Sequence, residues 1–177
     1  MESVFVGIEI GGTKIQVVTG DGKASIVGRQ RFTADPAEGA EGIRGQIAGA
    51  LANIAGRQKI AAIGVGFGGP FNRETGRACC SHQVAGWDDF PLRDWLSEQV
   101  AGAPVAIEND GNTAALGEAI AGAGQGQSPV FYVTLGSGIG GGLVIAGALV
   151  TGPNAIAGEW GHNTLTAGND GTAPPPH

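Results

Sequence analysis

Val4-Phe5-Val6-Gly7-Ile8-Glu9-Ile10 is an apolar run with alternation, Gly11-Gly12 breaks it, and Ile15-Gln16-Val17-Val18-Thr19 takes it up again. Period-two alternation on both sides of a glycine pair reads as strand, hairpin turn, strand. Asp21-Gly22 is a second hairpin signal, and Ser25 to Phe32 reads as a third strand. The chain therefore opens with a three-stranded antiparallel meander.

Outward from the meander the period changes. Asp35-Pro36-Ala37-Glu38 has the pattern of a helix start, with Asp35 as cap, Pro36 at the first helical position and Glu38 completing a capping box. Ile43, Ile47, Leu51 and Ile54 then recur at spacings of four, four and three, one face of a helix. Gly39, Gly42, Gly45 and Gly49 lie in the same segment, each about 1 kcal/mol worse than Ala in a helix; close packing on a sheet is one explanation, and the sequence does not decide it. Ile60 to Phe67 is a buried strand running into Gly68-Gly69-Pro70. Leu92, Trp95, Leu96 and Val100 mark a short helix, Val105 to Ile107 a short strand, and Asn109-Asp110-Gly111-Asn112 the start of an alanine-rich helix to Ala121. Gly122 to Gln127 reads as a hinge. After it, Val130 to Leu135, a glycine turn over Gly136 to Gly142, and Leu143 to Ile145 repeat the opening pattern. This echo divides the chain into a small α/β lobe, 1–121, and the beginning of a second, incomplete lobe, 122–177.

Composition narrows the class. The 177 residues include 34 glycines, with 42% hydrophobic and 15% charged residues and a formal net charge of −6. Glycine at about 19% far exceeds the usual share of roughly 7%, yet no collagen period exists and the apolar runs can build a core. The negative charge argues against nucleic acid and anionic membrane as partners. No stretch reaches the roughly 20 apolar residues of a membrane helix, and the N-terminus lacks a signal peptide's basic region. Cys79 and Cys80 are adjacent and have no other cysteine to pair with, so a reduced cytoplasmic setting and plain half-buried strand positions are expected.

Four segments carry groups able to do chemistry. Gly11, Gly12, Thr13 and Lys14 form one glycine turn after a strand; Gly136, Ser137, Gly138 and Gly140 belong to another. Neither has P-loop spacing, but both let backbone N–H groups approach phosphate oxygens; each read alone is equally a tight hairpin. Asp110 stands at a strand-to-helix junction. It is either the helix N-cap or a carboxylate aimed from the positive end of a helix into a cleft, where it can accept a hydroxyl proton. Glu159 and His162, three apart, can converge on one polyol or one metal, or be an ordinary polar contact.

In this order the four segments resemble the ROK family of sugar kinases, repressors and open reading frames. The likeness runs from Val4 to about Leu165. Glu9-Ile10-Gly11-Gly12-Thr13-Lys14 is similar to the family's Asp-Ile-Gly-Gly-Thr-Lys, Gly136-Ser137-Gly138 to its Gly-Thr-Gly, Asn109-Asp110-Gly111-Asn112 to its Asn-Asp-x-Asn, and Glu159-Trp160-Gly161-His162 to its sugar-binding Glu and His. The resemblance implies an actin-like, ribonuclease-H-like α/β fold and ATP-dependent phosphorylation of a hexose. Asp110 would be the base, Gly69, Asn109, Glu159 and His162 would bind sugar, and the glycine turns would hold ATP with Mg²⁺. It also implies a homodimer and a structural zinc with His162 as one ligand. A sugar-sensing regulator of the same family and an inactive truncated lobe are the alternatives. The departures are Glu9 for Asp, Gly68 where Pro is common, and Ser81-His82-Gln83 where many relatives place a sugar-contacting Asn. Relatives run to about 300 residues, with the remaining zinc ligands beyond this chain's end. The expectation is a C-terminally truncated chain that binds zinc weakly.

Overall fold

A computed structural model of the chain describes residues 3–81, 84–136, 138–152, 157 and 158. The meander is present as β1 (Ser3–Ile10), β2 (Lys14–Gly20) and β3 (Ile26–Thr33). It continues through α1 (Gly39–Ala55), β4 (Lys59–Phe67), a small hairpin of β5 (Phe71–Asn72) and β6 (Arg77–Ala78), α2 (Leu92–Gln99), β7 (Val105–Asn109) and α3 (Asp110–Ala121). A second hairpin unit follows: β8 (Val130–Leu135), β9 (Ile139–Ile145) and β10 (Ala148–Leu149).

The main sheet has the order β3-β2-β1-β4-β7, antiparallel through the meander and parallel across β1, β4 and β7. One face of it carries the core. Val4, Val6, Ile8 and Ile10 of β1 and Ile63, Val65 and Phe67 of β4 turn toward Ile43, Ile47 and Leu51 of α1 and Leu92 and Leu96 of α2. The opposite face receives the first turns of α3, where Gly66 leaves room for Thr113 and the Asp110 backbone. β8, β9 and β10 form a separate antiparallel sheet, and α3 packs on it as well as on β4 and β7.

Alternation of buried and accessible residues runs along β1 and β2, and four local readings are corrected. The helix after the meander starts at Gly39. Asp35 instead closes a turn by accepting from the Ala37 N–H at 2.9 Å, and the Ala40 N–H is satisfied by the Ala85 carbonyl at 2.9 Å. Gly39 has φ +58° and no room for a Cβ beside that carbonyl, so it directs the chain into the helix. The stretch Gly140 to Gly142 is strand, not turn, pairing with Thr134 to Tyr132. Cys79 and Cys80 follow β6 in irregular structure, Cys79 exposed. The fourth correction concerns the helix glycines. Gly45 and Gly49 are exposed and have nothing within 4 Å of where a Cβ would stand, so sheet packing does not account for them. Gly45→Ala and Gly49→Ala should each raise stability by roughly 0.5–1 kcal/mol in urea denaturation; a loss of stability would show that the backbone there needs glycine.

At the β2–β3 turn, the backbone N–H groups of Ser25 and Lys23 bond the Asp21 carboxylate and hold its pKa below the usual value. No helix among the described residues is long and apolar enough to cross a membrane.

Candidate active site

The parallel strands β1, β4 and β7 end level with one another: Ile10 pairs with Phe67, and Phe67 with Asn109. Whatever follows each strand is therefore gathered at one sheet edge, the usual place for a ligand in an open α/β sheet. After β1 comes the Gly11-Gly12 turn, after β4 the Gly68-Gly69-Pro70 loop, and after β7 the first turn of α3 with Asp110.

These three pieces touch. The Gly68 N–H donates to the Ile10 carbonyl at 3.0 Å. A Cβ on Gly68 would lie 3.1 Å from Asp110 Oδ2 and 3.8 Å from the Gly11 Cα, so glycine at this position keeps a gap open between the first glycine turn and the carboxylate. Gly69 is pinned from behind, since a Cβ there would meet the Cys80 carbonyl at 2.9 Å and the Phe67 ring at 3.0 Å.

Asp110 is not the helix cap. Asn109 is, its Oδ1 accepting from the Asn112 N–H at 3.2 Å. Asp110 is exposed, and its Oδ1 accepts only from the neighbouring Gly111 N–H at 2.8 Å among the described residues. The cap reading of Asp110 is thereby corrected: its neighbour Asn109 provides the cap. The same capping bond commits one oxygen of Asn109 to the fold and leaves its amide NH₂ without an acceptor among the described residues.

The first glycine turn is closed by the Gly11 N–H bonding the Lys14 carbonyl at 3.1 Å, and Thr13 accepts from Ala34 at 3.0 Å. The N–H groups of Gly12 and Thr13 have no acceptor among the described residues, and the Thr13 and Lys14 side chains are exposed. In the second turn the Gly136 N–H bonds the Gly138 carbonyl at 2.9 Å, and open space lies over Gly136 and Gly138. Gly140 sits inside β9 opposite Thr134, with a Cβ position 3.3 Å from the Thr134 methyl. Glu9 lies abreast of Gly66 and Glu108 on the sheet face that α3 covers, touched by the Gln16 amide at 3.4 Å. Ser137, Glu159 and His162 lie outside the described residues, as do His82 and Gln83.

Residues 5–174 match the model of the ROK family. The chain belongs to the ROK family. Among its relatives, the glucokinase of Halalkalibacterium halodurans is 39% identical over 165 residues, covering 91% of this chain and 50% of the relative. The glucokinase of Thermotoga maritima is 35% identical over 162 residues, covering 89% and 50%. The chain thus spans about half the length of the relatives it matches. The crystal structure of a ROK family glucokinase from Streptomyces griseus in complex with glucose and AMPPNP superposes with a TM-score of 0.80 at 35% identity, over 92% of this chain and 51% of that one. A ROK family transcriptional regulator, 18% identical with a TM-score of 0.78, shares the fold. The α/β architecture is the one shared by these ROK kinases.

Sequence reading did not single out Arg73 and Glu108. Glu108 Oε1 accepts from Arg73 Nη2, from the Asn109 N–H at 2.8 Å and from Asn112 Nδ2 at 3.0 Å. Arg73 belongs to the β5–β6 turn, 35 residues away, and its carbonyl accepts from Arg93 Nη2 of α2 at 2.7 Å. Only the neighbourhood of Glu108 to the Asn-Asp pair was visible in the sequence; its partner was not.

Proposed function

We propose that the whole protein transfers the γ-phosphoryl group of ATP to a hydroxyl of a hexose. The observation that carries this reading is the Asp110 carboxylate facing the Gly11-Gly12 turn across the gap at Gly68. Glucokinase relatives and a kinase solved with glucose and AMPPNP support the substrate classes.

In this reading Asp110 accepts the proton of the attacking sugar hydroxyl as the oxygen–phosphorus bond forms. Phosphoryl transfer passes through a loose transition state, so holding that hydroxyl in line matters more than a strong base. Gly69, the Asn109 amide, Glu159 and His162 bind the remaining hydroxyls. Gly11, Gly12, Thr13 and Lys14 receive phosphate oxygens; the unengaged N–H groups of Gly12 and Thr13 and the exposed Thr13 and Lys14 side chains fit that task. Gly136, Ser137 and Gly138 do the same from the second unit, with Gly140 setting the strand behind them. Mg²⁺ usually takes one or two carboxylates and fills its shell with phosphates and water, and the Glu9 carboxylate fits such a role. When bound, it neutralises charge on the transferred phosphoryl group. His162, the zinc ligand that the resemblance implies, lies outside the described residues, and no group of three His, Cys, Asp or Glu among the described residues could hold a metal. We place the boundary between two lobes after Ala121, the site of action in the cytoplasm, and the active form as a homodimer.

Hexose-dependent release of ADP by protein extended to the relatives' length tests the reading. Turnover that rises with one or more hexoses is expected; ATP hydrolysis indifferent to every sugar would overturn it. The second turn is tested separately. A Cβ on Gly138 meets nothing within 4 Å among the described residues, so the effect of Gly138→Val is expected to fall on the ligand. Loss of a charge-assisted backbone contact at about 1.5–3 kcal/mol predicts a KM for ATP raised about ten- to a hundredfold with sugar binding intact. An unchanged KM for ATP would make this turn a plain hairpin.

A further inference from the structure

Where α3 meets the second sheet, the two come closer than side chains allow. A Cβ on Gly111 would lie 2.8 Å from the Gly141 carbonyl, one on Gly142 2.7 Å from the Ala115 Cβ, and one on Gly158 2.7 Å from the Gly141 carbonyl. Into this joint of glycines projects a single amide, that of Asn112, with only 2% of the residue exposed. Its Nδ2 donates to Glu108 at 3.0 Å. Its Oδ1 is buried, has no hydrogen-bond partner among the described residues, and lies 2.9 Å from where a Cβ on either Gly142 or Gly158 would stand.

An aliphatic side chain would fill such a place without the desolvation penalty of an amide, so its presence calls for a reason. The wiring supplies one. Glu108 Oε1 gathers three donors: the Arg73 guanidinium from the β5–β6 turn, the backbone N–H of Asn109, and Asn112. The Asn112 N–H is in turn the one that Asn109 caps. Asn109 precedes Asp110; Gly158, packed against the Asn112 oxygen, precedes Glu159. We propose that Glu108 and Asn112 are positioning residues: they brace the Asn109-Asp110 step against the second sheet and the backbone at Gly158, so that the base is held in one place. Neither residue touches substrate or the reacting atoms. The inference rests on the kinase reading above, and its test separates the two.

Two variants break the brace differently. Asn112→Leu keeps bulk and removes both polar atoms; Glu108→Gln keeps shape and removes the charge, and serves if the leucine variant fails to fold. In extended protein that phosphorylates hexose, each variant should raise the sugar KM and lower kcat, together about ten- to a hundredfold in kcat/KM, with the KM for ATP within about twofold. The double variant should be no worse than the worse single one, because both break one unit. Hydrogen exchange on the 177-residue chain needs no activity. There the Asn109 amide, which donates to Glu108 at 2.8 Å, should exchange about tenfold faster in either variant, with β1 and β2 unchanged. Kinetic constants equal to those of the parent, after correction for folded fraction, would overturn the positioning role. Equal exchange at the Asn109 amide would overturn the brace itself. A parent protein without sugar-dependent turnover would overturn the kinase reading alone, and the exchange result would then decide the brace.

Discussion

Asp110→Asn should lower kcat for hexose phosphorylation by about 10²–10⁴-fold, the usual contribution of a positioned general base. The variant is close to isosteric. The one hydrogen bond that Asp110 makes among the described residues, from the Gly111 N–H to Oδ1, can be kept by an asparagine carbonyl. The helix cap is unaffected because Asn109, not Asp110, provides it. Folding and sugar affinity should therefore stay near those of the parent while the chemical step slows. Steady-state kinetics with a thermal melt on the same sample measure both. Turnover within a few-fold of the parent would remove Asp110 from the role of base; a collapse of the melt would mean that it holds the fold together instead.

The second large effect is on stability. Trp87 is among the largest fully buried side chains, 1% exposed, and sits at the middle of a file of edge-to-face rings: Phe67 at 5.4 Å, Phe90 at 5.6 Å, and Trp95 beyond Phe90 at 5.8 Å. The Arg44 guanidinium lies over the Phe90 ring at 4.5 Å. Trp87→Ala should cost about 3–5 kcal/mol, through lost burial and the cavity left behind. Small domains hold only about 5–15 kcal/mol in total, so the variant should be largely unfolded at modest urea concentrations. The effect reaches the candidate site: Phe67, which the indole supports, ends β4 and abuts Gly69. A shift in unfolding free energy below about 1 kcal/mol would show that the ring file is not a major support of this core.

Long elements were legible because their signals are local. The alternation from Val4 to Ile10, the break at Gly11-Gly12 and the spacing of Ile43, Ile47, Leu51 and Ile54 each report on the residues that carry them. What escaped was short or distant. Phe71-Asn72 and Arg77-Ala78 are strands of two residues, too brief to show a period. The start of α1 followed a contact with Ala85, some 45 positions on, rather than the capping pattern at Asp35. Gly140 to Gly142 read as turn because glycine marks turns, whereas here it makes room: Ala115 and Asn112 of α3 lie against Gly142. At the site, the Asn-Asp pair stood out, but dividing cap from carboxylate required coordinates. The ion pair joining Arg73 to Glu108 has no signature in sequence at all.

In the proposed reading, the gap between Asp110 and the first glycine turn is where a phosphoryl group reaches a sugar. Phosphorus NMR of ATP and a hexose incubated with the extended protein and Mg²⁺ observes that transfer directly. The expected result is a sugar-phosphate resonance growing in step with ADP and falling at least a hundredfold in rate with Asp110→Asn. Inorganic phosphate appearing in place of sugar phosphate, or sugar phosphate forming equally fast without the Asp110 carboxylate, would contradict it.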